Sequence, residues 1–397
     1  MDARNAASTV IARVSLMLAG ALAAWPAIAQ QAPASPRERA VAIDAPVIML
    51  GGAVRLERVT DGLQRPWSLA FTPEGDLLVT EKYRGIRVIR EGRLLTEPLA
   101  GGPPDVFAQA DSGLLDLALD PDFERNRMVY VSFAEGTAEA NRTSVWRARY
   151  EAGRLHDGRV IFRAAPDKAG PGHPGGRMLF LPDGTLLLTV GDGYEHKVAA
   201  QDPASHLGKI LRLTRDGGAA ADNPRVNAAG ARAEIWTSGH RNVQGLAHDR
   251  QTGEIWSHEH GPRGGDEVNL LRAGANYGWP LVTHGIDYDG SIISERAFAP
   301  GFDRSAFYWA PSIAPSGLVV YRGNAFPDWH GKLLVGGLVT HAVSRLRRGK
   351  ETGLFVEEER LFGAYGKRIR DLREGPDGLV YLLTDEDDAE LLRMRPE

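Results

Sequence analysis

A strand–turn–strand pattern recurs six times along this chain, and this repetition constrains the fold more than any other feature. Each copy is an apolar strand, a polar turn built on Pro, Asp or Gly, and a second apolar strand with a polar end. The copies begin at Leu69, Leu117, Met178, Leu246, Leu318 and Leu372. Units that repeat every roughly 50–70 residues are typical of propeller blades, which pack side by side around an axis. The sequence therefore predicts an all-β fold, a six-bladed β-propeller, with the polar strand ends converging on one mouth.

The N-terminus has the pattern of a secretory signal peptide. Basic residues precede an apolar run over residues 14–29, which ends in the small-residue cleavage pattern Ala27-Ile-Ala. This run is shorter than the ~20 residues that a membrane-spanning helix needs, so we expect no membrane anchor. The predicted organisation is a signal peptide (1–29), a flexible lead-in (30–50) and a periplasmic or secreted propeller domain (51–397).

Composition excludes several classes of function. The 397 residues carry a formal net charge of −4, and lysine and arginine are scattered, so neither nucleic acid nor an anionic membrane surface is an expected partner. The chain contains no cysteine, so a secreted protein of this sequence must rely on a large core or on bound metal. Both ends, residues 53–59 and 389–394, are strand-like. We expect these two segments to share one sheet and to close the ring without a covalent bond.

Two polar clusters flank the third repeat. His173 lies in the glycine-rich segment 170–177, where the backbone can approach a ligand closely, and histidine titrates near neutrality as a general base should. Asp192 follows the next strand, and its carboxylate could accept a hydrogen bond from an imidazole and fix its tautomer. Each residue has a structural alternative, which is a core histidine for His173 and an ordinary Asx turn for Asp192.

Two further clusters surround the fourth repeat. The segment 238–245 places histidine, Arg241 and asparagine between glycines, which suits an anionic or quinonoid ligand because arginine offers a planar fork to carboxylates. The segment 257–269 combines carboxylates with an irregular Gly/Pro backbone, which favours calcium over zinc. His258 and His260 have the spacing of a transition-metal pair. We expect them to face opposite ways, however, and no third nitrogen or sulfur ligand lies near them in the sequence.

Taken in their order along the chain, the polar motifs resemble those of one family. They are His173-x-Gly-Gly-Arg, Val-Gly-Asp192, Gly-His-Arg241-Asn-x-Gln-Gly, His-Gly261-Pro-x-x-x-Asp-Glu-x-Asn, Asn-Tyr277-Gly-Trp-Pro, Pro-Ser312-Ile-Ala-Pro-Ser-Gly and Arg368-Ile-Arg-Asp. Over about residues 63–394 the chain resembles the soluble aldose (glucose) dehydrogenases that depend on pyrroloquinoline quinone (PQQ), also called the glucose/sorbosone dehydrogenase family. The resemblance implies a calcium-requiring, six-bladed propeller that oxidises the anomeric carbon of aldose sugars to lactones.

The resemblance also implies roles for single residues. His173 matches the catalytic base, which takes the proton of the anomeric hydroxyl while hydride passes to the quinone, and Asp192 matches the acid that orients this base. Arg241 would polarise the accepting quinone carbonyl beside the substrate. The remaining cofactor contacts match Asn242, Ser312, Arg368 and Arg370. Arginines suit this ligand because PQQ is a tricarboxylate.

Two calcium sites are implied in the same way. The backbone carbonyls of Gly261 and Pro262 match the ligands of a calcium ion that is bound together with the cofactor. A second, structural calcium site matches Glu267, Tyr277, Thr283, Gly285 and Asp287.

The chain departs from the glucose-oxidising branch of this family at three positions. Asp111 replaces a sugar-binding glutamine, and Gly172 replaces an acid just before the catalytic histidine, so both bear on which sugar is bound. Val339 replaces a cofactor-binding lysine and removes one cation from the predicted cofactor site.

We therefore expect a PQQ- and calcium-dependent sugar dehydrogenase, a monomer or homodimer, that passes electrons from an aldose to an unidentified acceptor. A calcium-dependent lactonase or esterase is a second interpretation, but a neutral lactone does not need the Arg368/Arg370 pair. A noncatalytic sugar- or protein-binding propeller is a third. The joint presence of His173, Asp192 and Arg241 argues against that interpretation.

Overall fold

The structure, a computed structural model, describes residues 47–49, 52–225 and 227–397. The predicted signal peptide and most of the predicted lead-in lie outside these residues. Val47–Met49, within the predicted lead-in, is a short strand paired with the segment that follows it. Among the described helices, none has the length and apolar character needed to cross a membrane.

The described residues are organised almost entirely as β-strands. In chain order the strands are β1 (Val47–Met49), β2 (Gly52–Leu63), β3 (Pro66–Phe71), β4 (Leu77–Glu81), β5 (Gly85–Arg90), β6 (Arg93–Leu94), β7 (Leu114–Leu119), β8 (Met128–Gly136), β9 (Asn141–Glu151), β10 (Arg154–Arg163), β11 (Met178–Phe180), β12 (Leu186–Val190), β13 (Lys209–Leu213), β14 (Ile235–Ser238), β15 (Val243–His248), β16 (Ile255–Glu259), β17 (Asp266–Leu270), β18 (Phe307–Trp309), β19 (Pro315–Val320), β20 (Leu333–Gly337), β21 (Val343–Arg348), β22 (Phe355–Leu361), β23 (Ile369–Glu374), β24 (Val380–Thr384) and β25 (Ala389–Pro396). The helical elements are α1 (Phe123–Asn126) and the 3₁₀ turns Lys197–Gln201, Pro327–Trp329 and Gly363–Tyr365.

The strands form six antiparallel sheets, and each sheet is one blade. Blade 1 is β3–β6, blade 2 is β7–β10, blade 3 is β11–β14, blade 4 is β15–β18 and blade 5 is β19–β22, each with its strands in chain order. Blade 6 has the strand order β1-β2-β25-β24-β23 and so joins the two ends of the described chain. The prediction of a six-bladed β-propeller is confirmed.

Blade 6 closes the ring as the sequence predicted. Strand β2 pairs antiparallel with β25 from Val54 opposite Pro396 to Leu63 opposite Ala389. Buried apolar residues on both strands, such as Leu56 and Met394, pack in one cluster with side chains of blade 5. Burial of each such side chain contributes roughly 1.5–3 kcal/mol, so packing at this seam can hold the ring in a chain without disulfides.

The repeated pattern corresponds to the first two strands of each blade. In blade 1, for example, Pro66 at the start of β3 lies opposite Glu81 at the end of β4. Because the two strands are antiparallel, the residues before each first strand and after each second strand meet at the same face of the propeller. This arrangement brings polar residues from all six blades to one mouth.

Candidate active site

A pocket of about 490 Å³ opens at this mouth. Its walls come mainly from the segments before the first strand and after the second strand of each blade. The lining residues are Trp67, Lys82, Asp111, His173, Pro174, Tyr194, Arg241, Asn242, Gln244, His260, Tyr288, Ala314, Leu338, Val339, Arg368 and Arg370. The pocket wall thus contains two of the three predicted catalytic residues, His173 and Arg241, and the predicted arginine pair, whereas Asp192 lies outside its lining.

A larger cavity, of about 690 Å³, lies at the opposite mouth of the propeller. None of the predicted site residues lines it. Its charged groups are largely paired with one another or with the backbone: Arg322 forms two hydrogen bonds with Asp249, at 2.9 and 2.6 Å, and Glu374 accepts one from the Arg322 amide. The predicted site residues that reach a cavity therefore do so at the smaller pocket.

His173 and Asp192 form a buried pair in the pocket wall. The distance from His173 Nδ1 to Asp192 Oδ1 is 2.7 Å, and the side chain of Asp192 is fully buried. Asp192 Oδ1 also accepts from the Tyr194 amide at 2.9 Å, and Oδ2 accepts from Trp279 Nε1 at 2.8 Å. A carboxylate only accepts hydrogen bonds, so Nδ1 of His173 carries the proton and Nε2 is left as the free acceptor. This is the geometry of a general base with a fixed tautomer.

The backbone around this pair is held in unusual conformations. His173 has a φ of 47°, in the left-handed region that non-glycine residues rarely adopt. A Cβ atom at Gly191 would lie 2.2 Å from the His173 carbonyl, so only glycine fits there. Burial tends to raise the pKa of Asp192, but the hydrogen bond and charge of His173, with a smaller contribution from Arg241, lower it overall. Asp192 is therefore a carboxylate at neutral pH.

The arginine pair of blade 6 forms a cationic wall. Arg368 Nη2 and Arg370 Nη2 both donate to Asp385 Oδ2, at 3.0 and 2.8 Å, and Arg368 Nη1 donates to the Leu338 carbonyl at 3.1 Å. Burial tends to raise the pKa of Asp385, but Arg370, Lys82 and Arg368 together lower it far below its usual range. One carboxylate thus faces three cations. The buried Nε of Arg370 has no hydrogen-bond partner among the described residues, so this wall fits an anionic ligand.

Arg241 and Asn242 lie between the histidine and the proposed calcium ligands. Arg241 Nη1 donates to the Gly261 carbonyl at 2.7 Å, and its guanidinium lies 5.5 Å from the Trp279 ring centre. The Oδ1 atom of Asn242 accepts from the Gly175 amide at 3.2 Å. Both predicted cofactor contacts therefore reach the pocket from the start of β15.

The loop that carries Gly261 and Pro262 is organised by Asp266, a residue that the sequence analysis did not single out. The buried carboxylate of Asp266 accepts from the Gly261 and Ala314 amides, both at 2.8 Å, and from Ser312 Oγ at 3.1 Å. Ser312 lies behind this loop, where its hydroxyl also contacts the Pro262 carbonyl, and it does not line the pocket. Its position is that of a residue that shapes the loop.

Three of the five residues predicted for a structural calcium site lie together. Glu267, Tyr277 and Thr283 line a small void of about 10 Å³, together with Glu259 and Arg241. This is roughly the room that one water molecule needs. Burial and the neighbouring Glu259 raise the pKa of Glu267 to about 8, and the one side chain that donates to it is Asn269, at 3.4 Å. A partly buried carboxyl group with one weak side-chain donor, beside a void of this size, fits a hard cation such as calcium.

The other two residues of that set lie elsewhere. Asp287 pairs with Lys197 at 2.9 Å, and Gly285 packs against the Gly264 carbonyl, so neither lines the void. Within the described ranges, no three His, Asp or Glu side chains converge in an arrangement that could hold a metal. Any cation at this mouth must therefore also use backbone oxygens.

His258 and His260 bind backbone carbonyls through Nε2, and our expectation that they face opposite ways was wrong. Both Nε2 atoms contact carbonyls of β19, His258 with Gly317 at 3.0 Å and His260 with Pro315 at 2.9 Å. The rings therefore point the same way, because alternate residues of a strand share a face. A carbonyl only accepts, so both Nε2 atoms donate. Burial also lowers the pKa of His258 to about 3, so this side chain is a neutral core histidine.

The structure also shows where the three residues that depart from the family pattern lie. Asp111 and Val339 are exposed at the pocket rim, and 60% of Val339 is accessible. A Cβ atom at Gly172 would lie 2.9 Å from Cβ of Tyr194, so the larger side chain of the relatives would displace that ring. Tyr194 itself lies edge-on to His173, with ring centres 5.0 Å apart.

Sequence reasoning assigned no role to several residues of the site, which are Lys82, Trp67, Tyr194 and Tyr288 in the pocket wall and Trp279, which binds Asp192. Lys82 carried a usable signal, because it directly follows the second strand of the first repeat, as Asp385 follows that of the sixth. The aromatic residues carried none, since single aromatic residues are common both in strands, as at Trp67, and in loops.

Comparisons with known proteins agree with this geometry. Residues 63–393 match the family model described as Glucose / Sorbosone dehydrogenase. The chain is 40% identical to the aldose sugar dehydrogenase YliI of Escherichia coli (strain K12), over 86% of this chain and 93% of that protein. The crystal structure of the soluble E. coli aldose sugar dehydrogenase in the apo-form matches with a TM-score of 0.83 and 38% identity, over 87% of this chain and all of that one. The PQQ-bound form of aldose sugar dehydrogenase from Streptomyces coelicolor matches with a TM-score of 0.70 and 30% identity, over 89% and 100% of the two chains. The chain belongs to the glucose/sorbosone dehydrogenase family.

Proposed function

We propose that this sugar dehydrogenase oxidises the anomeric carbon of aldoses to lactones with PQQ and calcium, and passes the electrons to a separate acceptor. The observation that carries the proposal is the presence, in one pocket, of a base with a fixed tautomer and a cationic wall. Nε2 of His173 is free to accept a proton, and Arg241, Arg368 and Arg370 line the same 490 Å³. The family assignment and the PQQ-bound relative support the choice of cofactor.

The residues of this pocket are suited to hold such a cofactor. Arg368 and Arg370 would bind its carboxylates through bidentate, charge-assisted hydrogen bonds. Arg241 and Asn242 would contact the opposite part of the ring system. The quinone, when bound, supplies the hydride acceptor. The exposed rim that contains Asp111 is left for the sugar.

Calcium would bind next to Arg241. The Gly261 carbonyl accepts from Nη1 of Arg241 at 2.7 Å, and both residues line the small void that contains Glu267. The Pro262 carbonyl lies next to it in a loop fixed by Asp266. Backbone oxygens of this kind are suitable calcium ligands.

His173 would act as the general base of the reaction. Its Nε2 accepts the proton of the anomeric hydroxyl, which leaves the electron pair of that O–H bond to form the lactone carbonyl as the hydride departs. The negative charge of Asp192, 2.7 Å from Nδ1, stabilises the imidazolium that forms. Trp279 holds the second carboxylate oxygen, so Asp192 cannot rotate away from the ring.

The proposal extends to location and partners. The predicted signal peptide favours the periplasm or the exterior of the cell, and the mildly acidic composition gives no reason to expect nucleic acid as a partner.

Steady-state assays of purified protein test the proposal. Aldoses are added with an artificial electron-accepting dye in four conditions, which are no addition, calcium alone, PQQ alone, and both together. We expect dye reduction and lactone formation only with both, because cation and cofactor complete each other's binding site. Full sugar oxidation in excess chelator without added quinone would refute this cofactor assignment. Hydrolysis of lactone or ester substrates without dye reduction would instead favour the hydrolase, and sugar binding without turnover the noncatalytic propeller.

A further inference from the structure

Lys82 is a cation in the pocket wall to which the proposed mechanism assigns no role. It follows β4, only 6% of it is exposed, and it lines the pocket. Its Nζ donates to the Ala110 carbonyl at 3.1 Å. Within the described part of the chain it forms no ion pair with a carboxylate. An ammonium group has three donors, so most of its hydrogen-bonding capacity is unused.

The stem of Lys82 is fixed by its surroundings. Its amide donates to the Arg65 carbonyl at 3.0 Å, and its carbonyl accepts from the Leu114 amide at 2.9 Å. Gly113 has a φ of 149°, and a Cβ atom there would lie 2.6 Å from Cγ of Lys82. Because the backbone and Cγ are held on both sides, little side-chain entropy would be lost when the ammonium binds a ligand.

The charges around Lys82 are unbalanced. Arg368 and Arg370 share the single carboxylate of Asp385, and the other acid that interacts with Lys82, Asp111, is exposed at the rim. Burial lowers the pKa of Lys82 to about 8, and the positive charge of Arg370 adds to this effect. A desolvated cation beside other cations is unfavourable unless an anion completes the site.

We infer that Lys82 binds a carboxylate of the anionic cofactor and takes the place of the lysine that is absent at Val339. This inference rests on the proposed function. Blade 6, which carries the arginine pair, lies between blade 5, which carries Val339, and blade 1, which carries Lys82. The ammonium of Lys82 would therefore approach the cofactor from the side of the arginine pair opposite to position 339. The geometry favours a cation at Lys82 over one at position 339, since Lys82 is buried and Val339 is 60% exposed.

The test is a direct measurement of cofactor binding. PQQ is titrated into the purified, calcium-saturated protein by equilibrium dialysis, and the dissociation constant is compared among the parent, Lys82→Met and Lys82→Arg. Methionine keeps the length of the stem and removes the charge, whereas arginine keeps the charge. Loss of one buried, charge-assisted hydrogen bond should raise the dissociation constant roughly ten- to hundredfold in Lys82→Met. Lys82→Arg should stay within a few-fold of the parent.

Lys209→Met is the matched control. Lys209 is equally buried, and its Nζ donates only to backbone carbonyls, but it does not line the pocket, so its removal should leave PQQ affinity unchanged. If circular dichroism shows that Lys82→Met is unfolded, Lys82→Gln takes its place. Unchanged affinity in the folded, uncharged variant would overturn the inference, while PQQ binding by the parent would leave the proposed function intact. Failure of the parent itself to bind PQQ in calcium would refute the proposed function.

Discussion

The contact between Asp192 and His173 gives a quantitative prediction for Asp192→Asn. The carboxylate lies 2.7 Å from Nδ1, which places the two charge centres about 4 Å apart in the imidazolium form. At that separation, with an effective dielectric constant of about 20, the attraction is on the order of 4 kcal/mol. Loss of this stabilisation corresponds to a decrease in kcat of up to about 10³-fold. His173→Ala, which removes the base itself, should cost about 10²–10⁴-fold.

Trp279 makes this substitution more harmful than loss of charge alone. If the asparagine at position 192 keeps its oxygen toward His173, its amide NH₂ points toward Trp279 Nε1–H. In the parent this nitrogen donates to a carboxylate oxygen 2.8 Å away, so in the variant two hydrogen-bond donors would face each other there. The flipped amide avoids this clash, but its NH₂ then faces the Tyr194 amide, which now donates to Oδ1 at 2.9 Å. The same NH₂ also donates to Nδ1 of His173, which moves the ring proton to Nε2 and removes the acceptor. We therefore expect Asp192→Asn to cost less when Trp279 is already phenylalanine, which is non-additivity of a coupled pair.

Turnover of calcium- and PQQ-loaded enzyme with a saturating aldose is measured for the parent, for the three single variants His173→Ala, Asp192→Asn and Trp279→Phe, and for the double variant Asp192→Asn/Trp279→Phe. Dialysis confirms that each binds PQQ, since Asp192 does not line the pocket. A rate for His173→Ala within a few-fold of the parent would remove His173 from the mechanism. If Asp192→Asn lowers kcat by the same factor in the Trp279 background and in the Trp279→Phe background, the amide does not flip.

Three further predictions concern cofactor, calcium and stability. Val339→Lys should lower the PQQ concentration for half activation by only about two- to fivefold, because an exposed ion pair contributes roughly 0.2–1 kcal/mol. If the PQQ concentration for half activation is unchanged or higher, position 339 does not reach the cofactor. Glu267→Gln should abolish the calcium-dependent rise in Tm, which for the parent is equivalent to about 2.7 kcal/mol at a calcium concentration a hundredfold above Kd. The metal-free variant should be at least as stable as the metal-free parent at pH 7, because burial and Glu259 already disfavour the ionised carboxylate of Glu267. A calcium response equal to that of the parent would refute the site. Despite the opposing effect of burial, Arg322 and the other hydrogen-bond donors lower the pKa of Asp249 from 3.8 to about 2, so its stabilisation is present above pH 3.8 and is lost as pH falls toward 2. Urea unfolding of Asp249→Asn should therefore show a loss of about 2 kcal/mol at pH 7 that shrinks below pH 4, and a loss independent of pH would contradict this assignment.

The sequence by itself determined the architecture, and it pointed to the reaction groups that we propose. Alternation of apolar and polar residues around Pro, Asp and Gly turns is a local property, so the six repeats predicted six pairs of antiparallel strands correctly. The strand-like ends at residues 53–59 and 389–394 also predicted the closure of the ring. His173 and Asp192 were identifiable because they lie next to the third repeat, at the strand ends that must share one face.

Only the tertiary structure decided which distant side chains complete the site. Trp279 is 87 residues from Asp192 in the chain, yet it holds that carboxylate at 2.8 Å. Lys82 and Arg370 meet across the boundary between the first and last blades, a neighbourhood that exists only once the ring has closed. His258 lies in the core and His260 in the pocket wall, and both rings are held by carbonyl acceptors that β19 of the next blade supplies. Local periodicity fixes where a strand begins and which face it presents, but the partner of a polar side chain depends on how the blades pack around the axis.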